Sequence, residues 1–179
     1  MACWGENNFG QLGDGSLMGQ TSPNPVPGLS DIAEISANGS NTCARELSGQ
    51  VLCWGRNGDG QVGDGTTDAR RSPTPVIGLT DAAGIAVGGL HSCALRGSGQ
   101  VVCWGLNDDG QLGDGTVTTR LEPVPVVGVS DAVEVASGGS HSCARRSSGQ
   151  VVCWGRNRDG QLGDGTTTNR REPVVTLGL

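Results

Sequence analysis

The sequence predicts an all-β protein: a β-propeller of four-stranded antiparallel blades, with about three and a half blades in this chain. Three observations carry the prediction. Cys-Trp-Gly recurs at Cys3–Gly5, Cys53–Gly55, Cys103–Gly105 and Cys153–Gly155, a period of 50 residues without insertion. A second cysteine series, Cys43, Cys93 and Cys143, keeps the same period. Gly supplies 32 of the 179 residues, more than double its ordinary share of roughly 7 per cent. A 50-residue period is too long for coiled-coil heptads or leucine-rich repeats and suits one propeller blade per unit.

Each unit divides into four strand candidates. The first is short and apolar: Ile32 to Ser36, Ile85 to Val87, Val133 to Ala136. Paired Gly or Asn-Gly follows, a turn signal. The second covers Thr42 to Arg45, His91 to Leu95 and His141 to Arg145. Ser-Gly-Gln closes a tight hairpin onto the third, Val51 to Trp54, Val101 to Trp104 and Val151 to Trp154. A Gly-rich loop then leads to the fourth, Pro73 to Val76 and Pro123 to Val126. Proline cannot donate to a ladder, so the fourth strand belongs at a sheet edge, as the outermost strand of a blade. The chain opens on a third strand, which predicts 14 strands in one repeat domain. Residues 1–28 form a partial blade; 31–78, 81–128 and 131–178 form full ones.

Composition excludes several classes. Gly at this density would cost a helical bundle about 1 kcal/mol at each interior position. No apolar run is long enough to cross a membrane as a helix. The net charge is −6, and all 12 basic residues are Arg, scattered in pairs such as Arg70-Arg71 and Arg145-Arg146. A nucleic-acid binder driven by counterion release would carry a basic face. Nucleic acid and membrane are therefore not expected as partners.

The run Gly-Gly-x-His-Ser-x-Ala, followed by Gly-Gln-Val-x-x-Trp-Gly-x-Asn-x-x-Gly-Gln-Leu-Gly-x-Gly, resembles the regulator of chromosome condensation repeat. The resemblance covers essentially the whole chain and implies a seven-bladed β-propeller acting as a binding scaffold. Two features depart from the family pattern. Cys stands at two positions per unit where aliphatic or small residues are usual, and Asn41 replaces the His found at His91 and His141.

If the hairpin turn centres on Ser98, Cys93 lies opposite Cys103. The same holds for Cys43 with Cys53 about Ser48, and for Cys143 with Cys153 about Ser148. Directly opposed residues have Cα atoms roughly 4.5–5.5 Å apart, within disulfide reach. Three hairpin disulfides are expected, and with them an extracellular or otherwise oxidising compartment. No signal peptide is visible ahead of the first strand. The rival is a zinc site begun by His91, Cys93 and Cys103; Asn41 in place of His and the lack of a Cys-x-x-Cys knuckle argue against it. Cys3 is left over, unpaired or intermolecular, because its partner strand would lie upstream.

The remaining motifs recur once per unit, which favours structural roles over catalytic ones. Trp4, Trp54, Trp104 and Trp154 are expected in the core between blades rather than on a stacking platform. The loops Asn107 to Gly115 and Asn157 to Gly165 resemble oxygen-ligand turns, but Gly110 falls at the fourth position rather than the sixth of an EF-hand frame. They are expected to be architectural, with Leu112 and Leu162 plugging the space between blades. His91 and His141 are expected to brace strand starts. No enzyme activity, cofactor or metal is expected.

Function is sought where the units differ: the segments 16–22, 66–72, 116–122 and 166–172. The candidate partner surface is Arg56, Arg70, Leu106, Arg120, Arg156 and Arg170. The expected function is a secreted, non-enzymatic protein-binding scaffold that uses one ring face. The alternatives are a carbohydrate-binding propeller, or a truncated or engineered fragment whose only activity is assembly. A homodimer is the expected assembly, although two copies do not make seven equal blades.

Overall fold

The computed structural model describes residues 1–178. Fourteen strands follow in chain order: β1 (Ala2–Gly5), β2 (Gln20–Pro25), β3 (Ile32–Asn38), β4 (Asn41–Glu46), β5 (Val51–Gly55), β6 (Arg70–Pro75), β7 (Ala82–Val87), β8 (His91–Arg96), β9 (Val101–Gly105), β10 (Arg120–Pro125), β11 (Ala132–Ser137), β12 (His141–Arg146), β13 (Val151–Gly155) and β14 (Arg170–Val175). They form one two-stranded sheet, β1-β2, and three four-stranded meanders: β3-β4-β5-β6, β7-β8-β9-β10 and β11-β12-β13-β14. Every pairing is antiparallel. Neighbouring sheets meet through their first strands, β3 against β7 and β7 against β11. This is a run of propeller blades, each packed face to face on the next.

Two strand limits differ from the sequence reading. The fourth strands start three residues early, at Arg70 and Arg120. Arg70 pairs with Gly55 and Thr74 with Cys53, so four steps on β6 span two on β5. The surplus is a bulge that holds Pro73, where no N–H is needed. The first strands also start early, at Ala82 and Ala132. The Ala82 N–H donates to Gly49 O and the Ala132 N–H to Gly99 O, both at 2.9 Å. Each blade is thereby hooked to the hairpin turn of the blade before it.

The core lies between sheets. One cluster joins Cys43, Val51 and Cys53 of the second blade to Ile85, Val87 and Trp104 of the third. The next joins Cys93, Val101 and Cys103 to Ala144, Val152 and Trp154, with Val135 packed against it. Disulfides link Cys43–Cys53, Cys93–Cys103 and Cys143–Cys153, each with Cα atoms 4.1 Å apart. Closing a loop of about 11 residues contributes about 2.8 kcal/mol in the chain-entropy view. The zinc reading fails here, because Cys93 and Cys103 are bonded to each other. Among the described residues no group of three or more His, Cys, Asp or Glu side chains is placed to hold a metal.

Trp54, Trp104 and Trp154 are fully buried, and Trp4 is 61% exposed. Each buried indole N–H crosses to the preceding blade and donates to a carbonyl: Trp54 to Gln11 O, Trp104 to Gln61 O and Trp154 to Gln111 O, all at 2.9 Å. The ring lies so close to the preceding loop that a Cβ on Gly63 would stand 2.7 Å from Trp104 Nε1. Gly63 also has φ +78°, a region other L-residues rarely enter. Gly13, Gly63 and Gly113 therefore each serve both a turn and a close approach to a tryptophan. Among the described residues no loop of another blade covers Trp4, and it is the one exposed member of the series.

Candidate functional site

Gly55 pairs with both Asn41, at the start of β4, and Arg70, at the start of β6. One end of each sheet therefore carries the turn between its first two strands and the long loop between its last two. The other end carries the Ser-Gly-Gln turns. The segments 16–22, 66–72, 116–122 and 166–172 each cover the end of a long loop and the first three residues of the fourth strand, and so lie at this one end of the sheets. Residues Glu6, Arg56, Leu106 and Arg156 immediately follow the third strands and share it too.

The loops are held rigidly. Asn57 is fully buried, and its Oδ1 accepts from the Val62 N–H at 2.9 Å. Its Nδ2 sits within 3.3 Å of Asp64 Oδ1, Thr66 O, Thr66 Oγ1 and Asp68 O. Asn7, Asn107 and Asn157 brace their own loops in the same way. The loop carboxylates thus turn inward to side-chain donors. Arg120 Nε donates to Asp114 Oδ2 at 3.0 Å and Arg170 Nε to Asp164 Oδ2 at 2.7 Å; Arg70 holds Asp64 likewise. Burial pushes the Asp64 carboxyl up, but hydrogen bonds from Thr66, Arg70 and Asn57 more than reverse this, and it sits below the ordinary carboxylate range. Asp114 follows the same balance. In the first unit Gln20 replaces the arginine, and Asn24 Nδ2 donates to Asp14 Oδ2 at 2.8 Å instead.

The structure divides the six candidate surface residues into two sets. Arg70, Arg120 and Arg170 are half-buried braces of their loops, paired with Asp64, Asp114 and Asp164. Arg56 and Arg156 lie nearer the surface, each 3.5 Å from the aspartate three residues on, and Arg56 also lies over the Phe9 ring at 5.7 Å. Leu106 is half-buried. The exposed loop tips include Leu17, Met18, Asp68, Val117 and Thr168. The inward turn of the arginines was open to sequence reasoning through one signal: Asp and Arg recur six residues apart in three units and Gln20 breaks the pattern in the first.

His91 also crosses a blade boundary. Its Nε2 lies 2.8 Å from Ser142 Oγ, and Ser142 Oγ donates to Gln111 O at 3.2 Å. With that hydroxyl proton committed, Nε2 carries the ring proton and donates. Asn41 makes the equivalent contact more weakly, Nδ2 to Ser92 Oγ at 3.4 Å. Full burial, with a smaller contribution from His141, pushes His91 down to about 4. Nothing here positions a nucleophile against a base.

The stacked blades, the inter-blade tryptophans and the braced loops define a repeat propeller of the Trp-Gly-x-Asn class. The model of the regulator of chromosome condensation (RCC1) repeat matches residues 3–45, 48–95, 98–145 and 148–178, and the chain belongs to this family. A second model of the same repeat matches residues 32–61, 83–111 and 132–161. Among solved structures, human WBSCR16 superposes over 98% of this chain with a TM-score of 0.84 at 24% identity. Prp20p from Saccharomyces cerevisiae, described with its binding to Gsp1p and histones, superposes over 97% with a TM-score of 0.84 at 22% identity. The yeast protein bound to Kap60 gives a TM-score of 0.85 at 23% identity over 97% of this chain. The chain spans about half the length of these structures: 48%, 45% and 44%. No curated protein sequence matches it.

Proposed function

We propose that this chain is a non-enzymatic protein-binding scaffold whose partner docks on the long-loop face of the ring. One observation carries the reading. The segments that vary between otherwise near-identical repeats all emerge on that face, from loops that buried asparagines hold rigid. A preorganised surface loses little entropy on binding, which is what a recognition face requires. Arg56, Leu106, Arg156 and the exposed loop tips supply the contact chemistry; Arg70, Arg120 and Arg170 hold the loops. Prp20p, a structural neighbour, is described as binding proteins. The three disulfides favour an oxidising compartment, hence secretion.

A displayed library of host-proteome fragments, selected on the oxidised chain, tests this. Leu106→Asp and the pair Arg56→Glu with Arg156→Glu should weaken the selected partner by about tenfold or more, as central contacts do. Leu47→Ser, on the opposite turns, should leave binding unchanged. Binding that ignores the loop variants and fails with Leu47→Ser would refute the proposal. Glycan-array binding without any protein ligand would favour the lectin alternative.

A further inference from the structure

We propose that His91 is an acid-sensitive latch between the third and fourth blades, whose protonation frees the base of the third blade's long loop, residues 107–113. Both blades that it joins are complete four-stranded sheets.

The connection crosses the boundary twice. His91, at the start of β8, reaches Ser142 of β12, and Ser142 Oγ returns to Gln111 O in the third blade's loop. The same carbonyl accepts from Trp154 Nε1 at 2.9 Å. Gln111 in turn holds its own loop. Its Oε1 accepts from the Asp109 N–H at 2.9 Å, and the Leu112 N–H beside it donates to Asn107 Oδ1 at 3.0 Å. A disturbance at His91 therefore reaches the loop base through one side chain, Ser142.

The ring has no place for a second proton. It is fully buried, and Nδ1 has no hydrogen-bond partner. Gly88 closes that side so tightly that a Cβ there would stand 2.4 Å from Nδ1. Among the described residues the elements around the ring bring no carboxylate to it. β9 places Gly105 opposite His91, the turn after β11 brings Gly138 beside Gly88, and Cys93 is bonded to Cys103. β12 brings Ser142 and His141; His141 is the one titratable group acting on the ring, and it disfavours the charge. Burial, aided by His141, pushes His91 down to about 4, against about 6.5 in water. A proton on Nδ1 would make a buried cation with one N–H unpaired. Admitting water between the blades relieves that state, so opening is coupled to protonation. From pH 7.5 to pH 5 the population of the opened boundary should rise about 30-fold.

The boundary one blade earlier has the same wiring without the titrating group. Asn41 Nδ2 donates to Ser92 Oγ, and Ser92 Oγ donates to Gln61 O. Trp104 Nε1 donates to that same carbonyl. Residues 57–63 are thus a matched control for residues 107–113 inside one molecule. Release of a bound partner on acidification is the consequence that rests on the binding face proposed above; the latch itself does not.

Amide hydrogen exchange of the oxidised full chain, expressed as protection factors between pH 7.5 and pH 5, tests the latch with no partner present. Protection of residues 107–113 should fall about 30-fold more than that of residues 57–63. His91→Asn installs the residue that the preceding boundary already uses; it should fold and abolish the difference. His141→Asn should leave the difference in place. Equal loss at both boundaries, no loss at either, or a difference that survives His91→Asn would overturn the proposal. A loosened loop that still holds its selected partner at pH 5 would leave the latch standing and count against the binding face.

Discussion

His91 and Asn41 occupy the same position in successive units and reach equivalent serine hydroxyls of the following blade, Ser142 at 2.8 Å and Ser92 at 3.4 Å. The difference makes a pH test. His91 is neutral when folded, with a value pushed to about 4, whereas an unfolded histidine titrates near 6.5. Between these values the unfolded chain binds the extra proton. Stability should therefore fall as pH drops from about 6.5 towards 4, by up to about 3 kcal/mol. His91→Asn should flatten that part of the curve while costing stability at neutral pH; denaturant titration across the range reads both. Trp104 gives a second prediction. Trp104→Phe loses the bond to Gln61 O, and Trp104→Ala should cost about 3–5 kcal/mol, measured by chemical denaturation. In the sequence Trp recurs in every unit and His in two of them, with Asn41 in its place in another, which pointed to structural roles. The sequence did not show their partners, because Ser142 lies 51 residues from His91 and Gln61 lies 43 from Trp104, across a blade boundary.

At the scale of the element, the hairpin pairings were legible. A tight symmetric turn about Ser98 leaves one register, and Cys93 stands opposite Cys103 in it. The fourth strand was less legible, because the bulge at Pro73 hides where pairing resumes. The loop carboxylates were ambiguous for another reason: the same residue types serve a cation or a set of internal donors, and only folding shows Asn107, Thr116 and Arg120 around Asp114. Two outcomes follow. Removing one staple by Cys93→Ala with Cys103→Ala should cost about 2.8 kcal/mol on the entropic estimate, read from denaturation without reductant. Asn107→Ala orphans the Leu112 N–H, which Asn107 Oδ1 caps at 3.0 Å, and should cost about 1–3 kcal/mol. Hydrogen exchange should show that loss concentrated in residues 107–118.

At the scale of the whole molecule, each blade touches only its neighbours, so stability is close to a sum of blade and interface contributions. The β7–β10 blade is packed between a full blade on each side. Trp4 and Ile35 mark the uncovered face of the first units, and the same repeat positions become buried one blade later. This arrangement leaves the ring's two ends chemically different. One end presents near-identical Ser-Gly-Gln turns; the other presents loops with constant bases and variable tips. The sequence alone located the variable segments, but placing them on one face needed the strand pairing. The most direct test of that division is a hydrogen-exchange footprint of the chain bound to its selected protein partner. The account predicts protection at residues 56–70, 106–120 and 156–170, with the turns at 47–50, 97–100 and 147–150 unchanged. Protection confined to those turns would contradict it.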